Sequence, residues 1–593
     1  MKNTFKISFY SVIAGVLALC AAHVTRNPIS NWLTVFRRLR VKPAMTCGIL
    51  MLGTVSCEDF LNRPNEDGYN VDVFYQTDEQ CFQAVNPLYS SPWYDVQRFF
   101  ISAGEVFSGN YHQGGPFLNF TVNSSTGSLV LCSASLWSVN AYANGVVENI
   151  DLKAGPNVNE ATKKTVKGEA LVWKAMAYFF LVRTFGDVPI VHSNSADIAA
   201  GNYNDKYKAT KENVYDYILM TLNKAVEWLP EKNQPGRIDR YSAYGLMAKV
   251  YLAKAGVKGA LNQDDLRNAA KYAKEVIDKS GRKLLPVYSN LFRIEHNINE
   301  EALISWAWKS GREPWTMQNT LQSDLSLTGF SEFGDNWGTW TGPMVDLQEA
   351  FGETALSKQR NNRDARRKAT MMMYSDRYDY FWRDKGGFLW NDLALGVKDN
   401  LNNLGANCVK FLVGNAYDHQ DAGGGTMDNM ANGLFTHLLR LADVYLVYAE
   451  AKVLLNDVDA SALKAFNDVY LRSVPLGDPR TALTWQDVWK ERRLELAGEG
   501  DRWYDYVRWS YYNTDAAIAE IKAQKRSTYE GLREFYEGGL TTPDLNVTYY
   551  DKNPTVPNVM KSSFTMPFPD ADVSMSPRLL QPPQNIDISQ FTY

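Results

Sequence analysis

The sequence predicts a mostly α fold in which tetratricopeptide-like helical pairs form a scaffold and an irregular, loop-rich half is inserted between them. Three observations predict it. Apolar and small residues recur at helical spacing in successive stretches from Leu136 to Ser280 and again from His437 to Trp509. Between these, residues 283–436 lose the periodicity and are Gly- and Asn-rich, with Trp306, Trp308, Trp315, Trp337, Trp340, Trp382 and Trp390 scattered among them. That texture is one of loops, short helices and hairpins. Finally, Thr484 to Trp509 combines an amphipathic helix, charges of alternating sign and aromatic residues in one stretch. A chain of 593 residues, 45% hydrophobic and 22% charged, can bury a core large enough for such a scaffold.

The first 56 residues stand apart. They contain seven basic residues and no acid, an asymmetry of export rather than of nucleic-acid binding. Arg37, Arg38, Arg40 and Lys42 form a basic region, Cys47 to Val55 a short apolar run, and Ser56 precedes Cys57. This order looks like a lipoprotein signal peptide cut before Cys57, which then receives the lipid. The rival Cys20 follows Leu19, too bulky for the small residue expected there. Residues 1–56 are therefore expected to be a leader, with roughly the first forty a mis-called extension or an unretained segment. Residues 57–76 read as a lipidated tether and 77–593 as a single domain. Neither apolar run of the leader is long enough to span a membrane as a helix. The remaining thiols, Cys81, Cys132 and Cys408, follow neither a disulfide nor a metal spacing.

Past the tether, Thr77 with Gln80 three residues on can cap a helix reaching Tyr89. Trp137, Ala141, Asn144 and Val147 share one face of a helix over 136–150, and Ala170, Trp173, Ala177 and Leu181 one face of a second over 167–185, which Gly186 ends. Thr210 caps a third, stopped by Pro230. Tyr241 to Ala255 follows, and Leu266, Ala269, Ala273 and Val276 mark a helix closed by Ser280 and Gly281. After the interruption, His437 to Leu455 and Ala460 to Leu471 resume the pattern. Thr484, with Asp487 at the box position, opens the helix carrying Val488, Trp489, Arg492 and Leu496, which Gly498 and Gly500 terminate. Within it and just beyond, Glu491, Arg492, Arg493, Glu495, Asp501, Arg502 and Asp505 are expected to form carboxylate–guanidinium pairs that lock a helix end, with Trp503 as an aromatic member of the same structural signature. Such pairs hold structure and do no chemistry.

No phosphate-binding loop, zinc-protease, nucleophile-elbow or paired-cysteine motif is present, and the six His are dispersed. No catalytic residue, metal or cofactor is therefore assigned. The pairs Glu300–Glu301 and Asp376…Asp379 read as solvated faces. For binding, Trp93, Tyr94, Asp95 and Arg98 set flat rings beside charged groups, with Asn110, Tyr111 and His112 close behind. Sugars stack their C–H faces on such rings while hydroxyls bond polar side chains. Trp337 and Trp340 are candidates in the irregular half. For each Trp, packing in the core is the competing reading.

Five segments in order resemble the SusD/RagB family of Bacteroidetes surface nutrient-binding lipoproteins: Gly168 to Val191, Gly236 to Gly256, Leu438 to Ala451, the signature Glu491 to Trp509, and Met566 to Pro583 near the end. The resemblance implies a SusD-like fold, a tetratricopeptide-like helical half carrying an irregular one. It also implies a surface glycan-binding role, an outer-membrane lipid anchor consistent with Glu58 and Asp59 after Cys57, and a SusC-like TonB-dependent transporter as partner. The RagB branch makes a peptide ligand the alternative, and a glycoside hydrolase hidden among the carboxylates is a third possibility.

Overall fold

The computed structural model describes residues 74–202, 204, 206–311, 314–333, 336–427, 430–539, 545–546 and 557–593. The leader, Cys57 and nearly all of the tether lie outside them. Capping defines most helix starts. Helix α1 (Asp78–Val85) opens on a Thr77–Gln80 capping box, and two 3-10 turns lead to α2 (Tyr94–Phe100), which continues as a π-helical turn over Ile101–Val106. Then come α3 (Gly127–Lys153), α4 (Glu160–Phe185), α5 (Lys211–Trp228, capped by Thr210), α6 (Arg240–Lys254, capped by Asp239) and α7 (Gln263–Lys279, capped by Asn262). Beyond the insert are α8 (Leu441–Leu454), α9 (Ala460–Ser473), α10 (Trp485–Leu496, with the Thr484–Asp487 box) and α11 (Arg502–Ala523).

Each of α3 to α8 packs on the next, and α8 packs on both α9 and α10. The array thus runs straight across the insert, α7 on one side of it finding its partner in α8 on the other. Helix α4 is buried almost all round from Thr165 to Phe185 because α3 and α5 cover opposite faces, and its sequence is correspondingly apolar without a clear stripe.

The insert is built on short antiparallel strand pairs. β1 (Tyr111–His112) pairs with β3 (Gly342–Pro343), β2 (Ala302–Trp306) with β8 (Thr436–Arg440), β4 (Met371–Met373) with β7 (Ala406–Cys408), and β5 (Arg377–Tyr378) with β6 (Phe388–Leu389). The β2–β8 ladder, Ala302 opposite Arg440 and Trp306 opposite Thr436, zips the two ends of the insert together. It also corrects the expected helix start at His437. Pairing with β2 takes the backbone groups of residues 436–440, so α8 begins only at Leu441.

The signature charges are buried, and most of their partners come from distant elements rather than from the signature itself. Arg492, 1% exposed, bonds Asp505 at 3.2 Å and Asp443 of α8 at 2.7 Å. Glu495 receives Arg440 at 2.5 Å, Arg366 at 3.2 Å and Arg472; Glu491 receives Arg366 at 2.5 Å. Asp501 takes Lys249 of α6 at 2.7 Å and Arg183 of α4 at 2.8 Å. Arg502 lies 3.8 Å from the centre of the Trp489 ring, and Trp503 stacks on Phe564 at 5.3 Å. Two readings change. Glu301, taken as solvated, is fully buried and accepts from Arg440 and Arg472 at 2.9 Å, and Asp376 is buried against Arg367, whereas Asp379 is exposed. Burial is possible because each charge meets an opposite one, and such pairs fasten the insert to the helical array.

Candidate functional site

Of the sequence-predicted residues, the structure separates buried ones from accessible ones. Trp93 is a core residue. Its ring lies 5.4 Å from Trp173 and 5.5 Å from Trp306, and its Nε1–H donates to the Leu88 carbonyl at 2.8 Å. Its position in the turn preceding α2 points it inward. Asn110, Tyr111 and His112 are buried as well, which rules out direct contact with a ligand. They form the underlay of the accessible surface instead.

That surface centres on Trp337 and Trp340, each 49% exposed. They flank a 3-10 turn over Gly338–Trp340, and spacing by three on such a turn directs both outward. The turn is held from several sides. Trp337 N–H donates to the Ser323 carbonyl at 2.7 Å, Gly338 N–H to that of Ser326 at 2.9 Å, and Asn402 Nδ2–H to that of Thr339 at 2.9 Å. Gly338 is required by contact, since any Cβ there would strike the Leu325 backbone. After Trp340 the chain enters β3, which pairs with Tyr111 and His112, and the His112 ring bonds the Trp340 backbone. Burial first of all, with Arg526 adding to it, pushes His112 down to about 4, so the ring is neutral at neutral pH. Asn110 accepts from Met344 N–H at 2.8 Å through its carbonyl and from Arg493 Nε–H at 2.8 Å through its side chain. The signature helix therefore reaches the underside of the tryptophan turn through Arg493.

Beside the turn, the outer face of α2 contributes half-buried Tyr94 and Asp95 and the accessible Arg98. Tyr94 Oη accepts from Trp315 Nε1–H at 2.6 Å. Arg98 forks onto Asp324 of the short helix Leu321–Leu325, Nε at 3.2 Å and Nη2 at 3.3 Å. Burial raises the Asp324 carboxyl above its usual range against the pull of Arg98, and burial raises Asp95 in the same way. Because the Ser323 carbonyl holds the Trp337 backbone and the next residue is Asp324, the backbones that carry ring and carboxylate are tied one residue step apart. Asp324 and Trp315 were missed as a site, since more than two hundred residues separate them from α2 and no local pattern marks the pairing.

The comparisons bear on what such a surface belongs to. The SusD family description matches residues 295–585, and a second, "Starch-binding associating with outer membrane", matches 134–252. A SusD-like protein of Bacteroides ovatus is 30% identical over 574 residues, 93% of this chain and 98% of that one. The chain belongs to the SusD family. This SusD-family chain also resembles a solved structure with a xylogluco-oligosaccharide, 28% identical with a TM-score of 0.72 over 86% of this chain and 99% of that one. A SusD homolog from Bacteroides thetaiotaomicron shares the fold at 20% identity and a TM-score of 0.64, over 87% and 98% of the two chains. Among the described residues of this SusD-family protein, no group of His, Cys, Asp and Glu could hold a metal ion, and no helix is long and apolar enough to cross a membrane.

Proposed function

We propose that this chain is a non-catalytic binding subunit that captures an oligosaccharide at the cell surface and hands it to a SusC-like TonB-dependent outer-membrane transporter, tethered by a lipid on Cys57. The observation that carries the reading is the tryptophan turn, two half-exposed indoles on a backbone fixed from below, with the Arg98–Asp324 pair at its side. Flat apolar faces favour sugar C–H groups, and a guanidinium paired with a carboxylate offers both donors and acceptors for hydroxyls. A rigid platform also avoids the ordering penalty that a mobile loop pays on binding. The relative solved with a xylogluco-oligosaccharide supports the ligand class, and the family description that mentions the outer membrane supports the location.

The test is calorimetry of the purified mature protein against a panel of neutral and acidic oligosaccharides and of peptides, with Trp337→Ala and Trp340→Ala alongside. Binding of an oligosaccharide that both substitutions weaken is the expected result. Binding of peptides alone, or turnover of a glycan by the purified chain, overturns the reading. Co-purification of a transporter with the native lipoprotein, lost in Cys57→Ala, is the corresponding result for delivery.

A further inference from the structure

A cleft of ≈ 290 Å³ opens beside the tryptophan turn, between the outer face of α2, the Leu321–Leu325 helix and the first turns of α3. Its charged groups are Asp95, Arg98 and Asp324, with Ser102, Gln113 and Ser128 beside them, and its exposed apolar side chain is Leu131, 50% exposed, over a floor that includes the buried Leu321 and Leu325. Cleft and turn are one construction. The Leu325 backbone lies directly against Gly338, and Asp324 follows the residue whose carbonyl holds Trp337. The cleft and the backbone that carries the indoles are thus joined through Leu325. The volume sits at the lower end for ligand pockets, roughly 300–1,000 Å³. That suits a single projecting sugar and excludes a whole main chain.

We propose that this cleft is a branch subsite. It takes an uncharged sugar substituent projecting from a main chain laid across Trp337 and Trp340. Leu131 meets the ring's C–H edge, while Asp324 accepts from its hydroxyls and Arg98 donates to them. Two carboxylates, Asp95 and Asp324, share the one guanidinium of Arg98 among the described lining residues, so an acidic substituent is disfavoured by like charge. The proposal rests on the oligosaccharide reading above and adds to it a preference for branched, neutral chains.

The experiment compares three probes by calorimetry on the mature protein: a xylogluco-oligosaccharide, a cello-oligosaccharide of the same main-chain length, and a glucuronate-branched xylo-oligosaccharide. The xylose-branched probe is expected to bind about tenfold or more tighter than the linear one, the scale of one well-made polar contact set, with the glucuronate-branched probe no tighter than the linear one. Ser128→Trp, which fills the cleft from α3, brings the xylose-branched probe down to the affinity of the linear one, whereas Trp337→Ala weakens both. Equal affinity for branched and linear probes, tight binding of the glucuronate branch, or a branched advantage that survives Ser128→Trp overturns the subsite while leaving the platform in place. Failure of every probe and of the wider glycan panel to bind removes the oligosaccharide reading itself, and the subsite with it.

Discussion

The molecule uses arginine, carboxylate and tryptophan twice, in two regions that behave differently. At the signature, Arg492 meets Asp505 and Asp443 with all three side chains almost wholly buried, and Trp503 is 1% exposed. At the platform, Arg98 meets Asp324 at a similar distance, but the Arg98 side chain is 47% exposed and the neighbouring Trp337 49%. Removing a buried partner strands a charge away from water, while removing an exposed one returns the other to solvent. The same kind of pair therefore fastens helices α8, α10 and α11 together in one place and stays open to solvent in the other.

The largest effect should come from breaking the buried side. Arg492→Ala is expected to destabilise the protein by about 3–5 kcal/mol, read from urea unfolding; an unchanged midpoint would mean that the buried pairs do not lock α8, α10 and α11 together. Acid probes the same region more gently. Burial alone would raise the Glu495 carboxyl, but Arg472, Arg440 and Arg366 outweigh it and hold the group at about 2. Its folded value thus lies below the unfolded one of about 4.3, so its stabilising contribution, on the order of 3 kcal/mol, is fully present above that pH and is lost as pH falls toward 2. Glu491, raised by burial against the pull of Arg366, acts in the opposite sense. Glu495→Gln should accordingly flatten the dependence of unfolding free energy on pH between about 4 and 2, and a slope identical to that of the parent protein would contradict the assignment.

On the platform, the effect should move from stability to binding. Trp337→Ala is expected to weaken oligosaccharide binding by about 2 kcal/mol, roughly thirtyfold, with unfolding free energy within about 0.5 kcal/mol of the parent. Loss of stability without loss of affinity would place Trp337 with Trp93 as a packing residue. The smallest effect is reserved for Arg98→Ala, which should change stability by no more than about 1 kcal/mol. A loss matching that of Arg492→Ala would erase the distinction between the two regions.

Much of this was legible in the sequence because it is local. Capping at Thr77, Thr210 and Thr484, the helical spacing of apolar residues, the termination near Ser280 and the loss of period over 283–436 depend on neighbours within a few residues, and the structure follows them. The site was legible only in part. Trp337, Trp340, Tyr94, Asp95 and Arg98 are accessible, whereas Trp93, Asn110 and Tyr111 are not, although their local sequence is equally polar-aromatic. Which ring faces water depends on what covers it, and Trp173 and Trp306 reach Trp93 from remote parts of the chain. The same holds for strand β8, imposed by β2, for Glu301, drawn inside by Arg440 and Arg472, and for Asp324, brought to Arg98 across the insert. Composition and spacing determined the helical scaffold and the kinds of contact available. Only tertiary structure decided which of those contacts were buried and which were left accessible, because burial is set by residues distant in sequence.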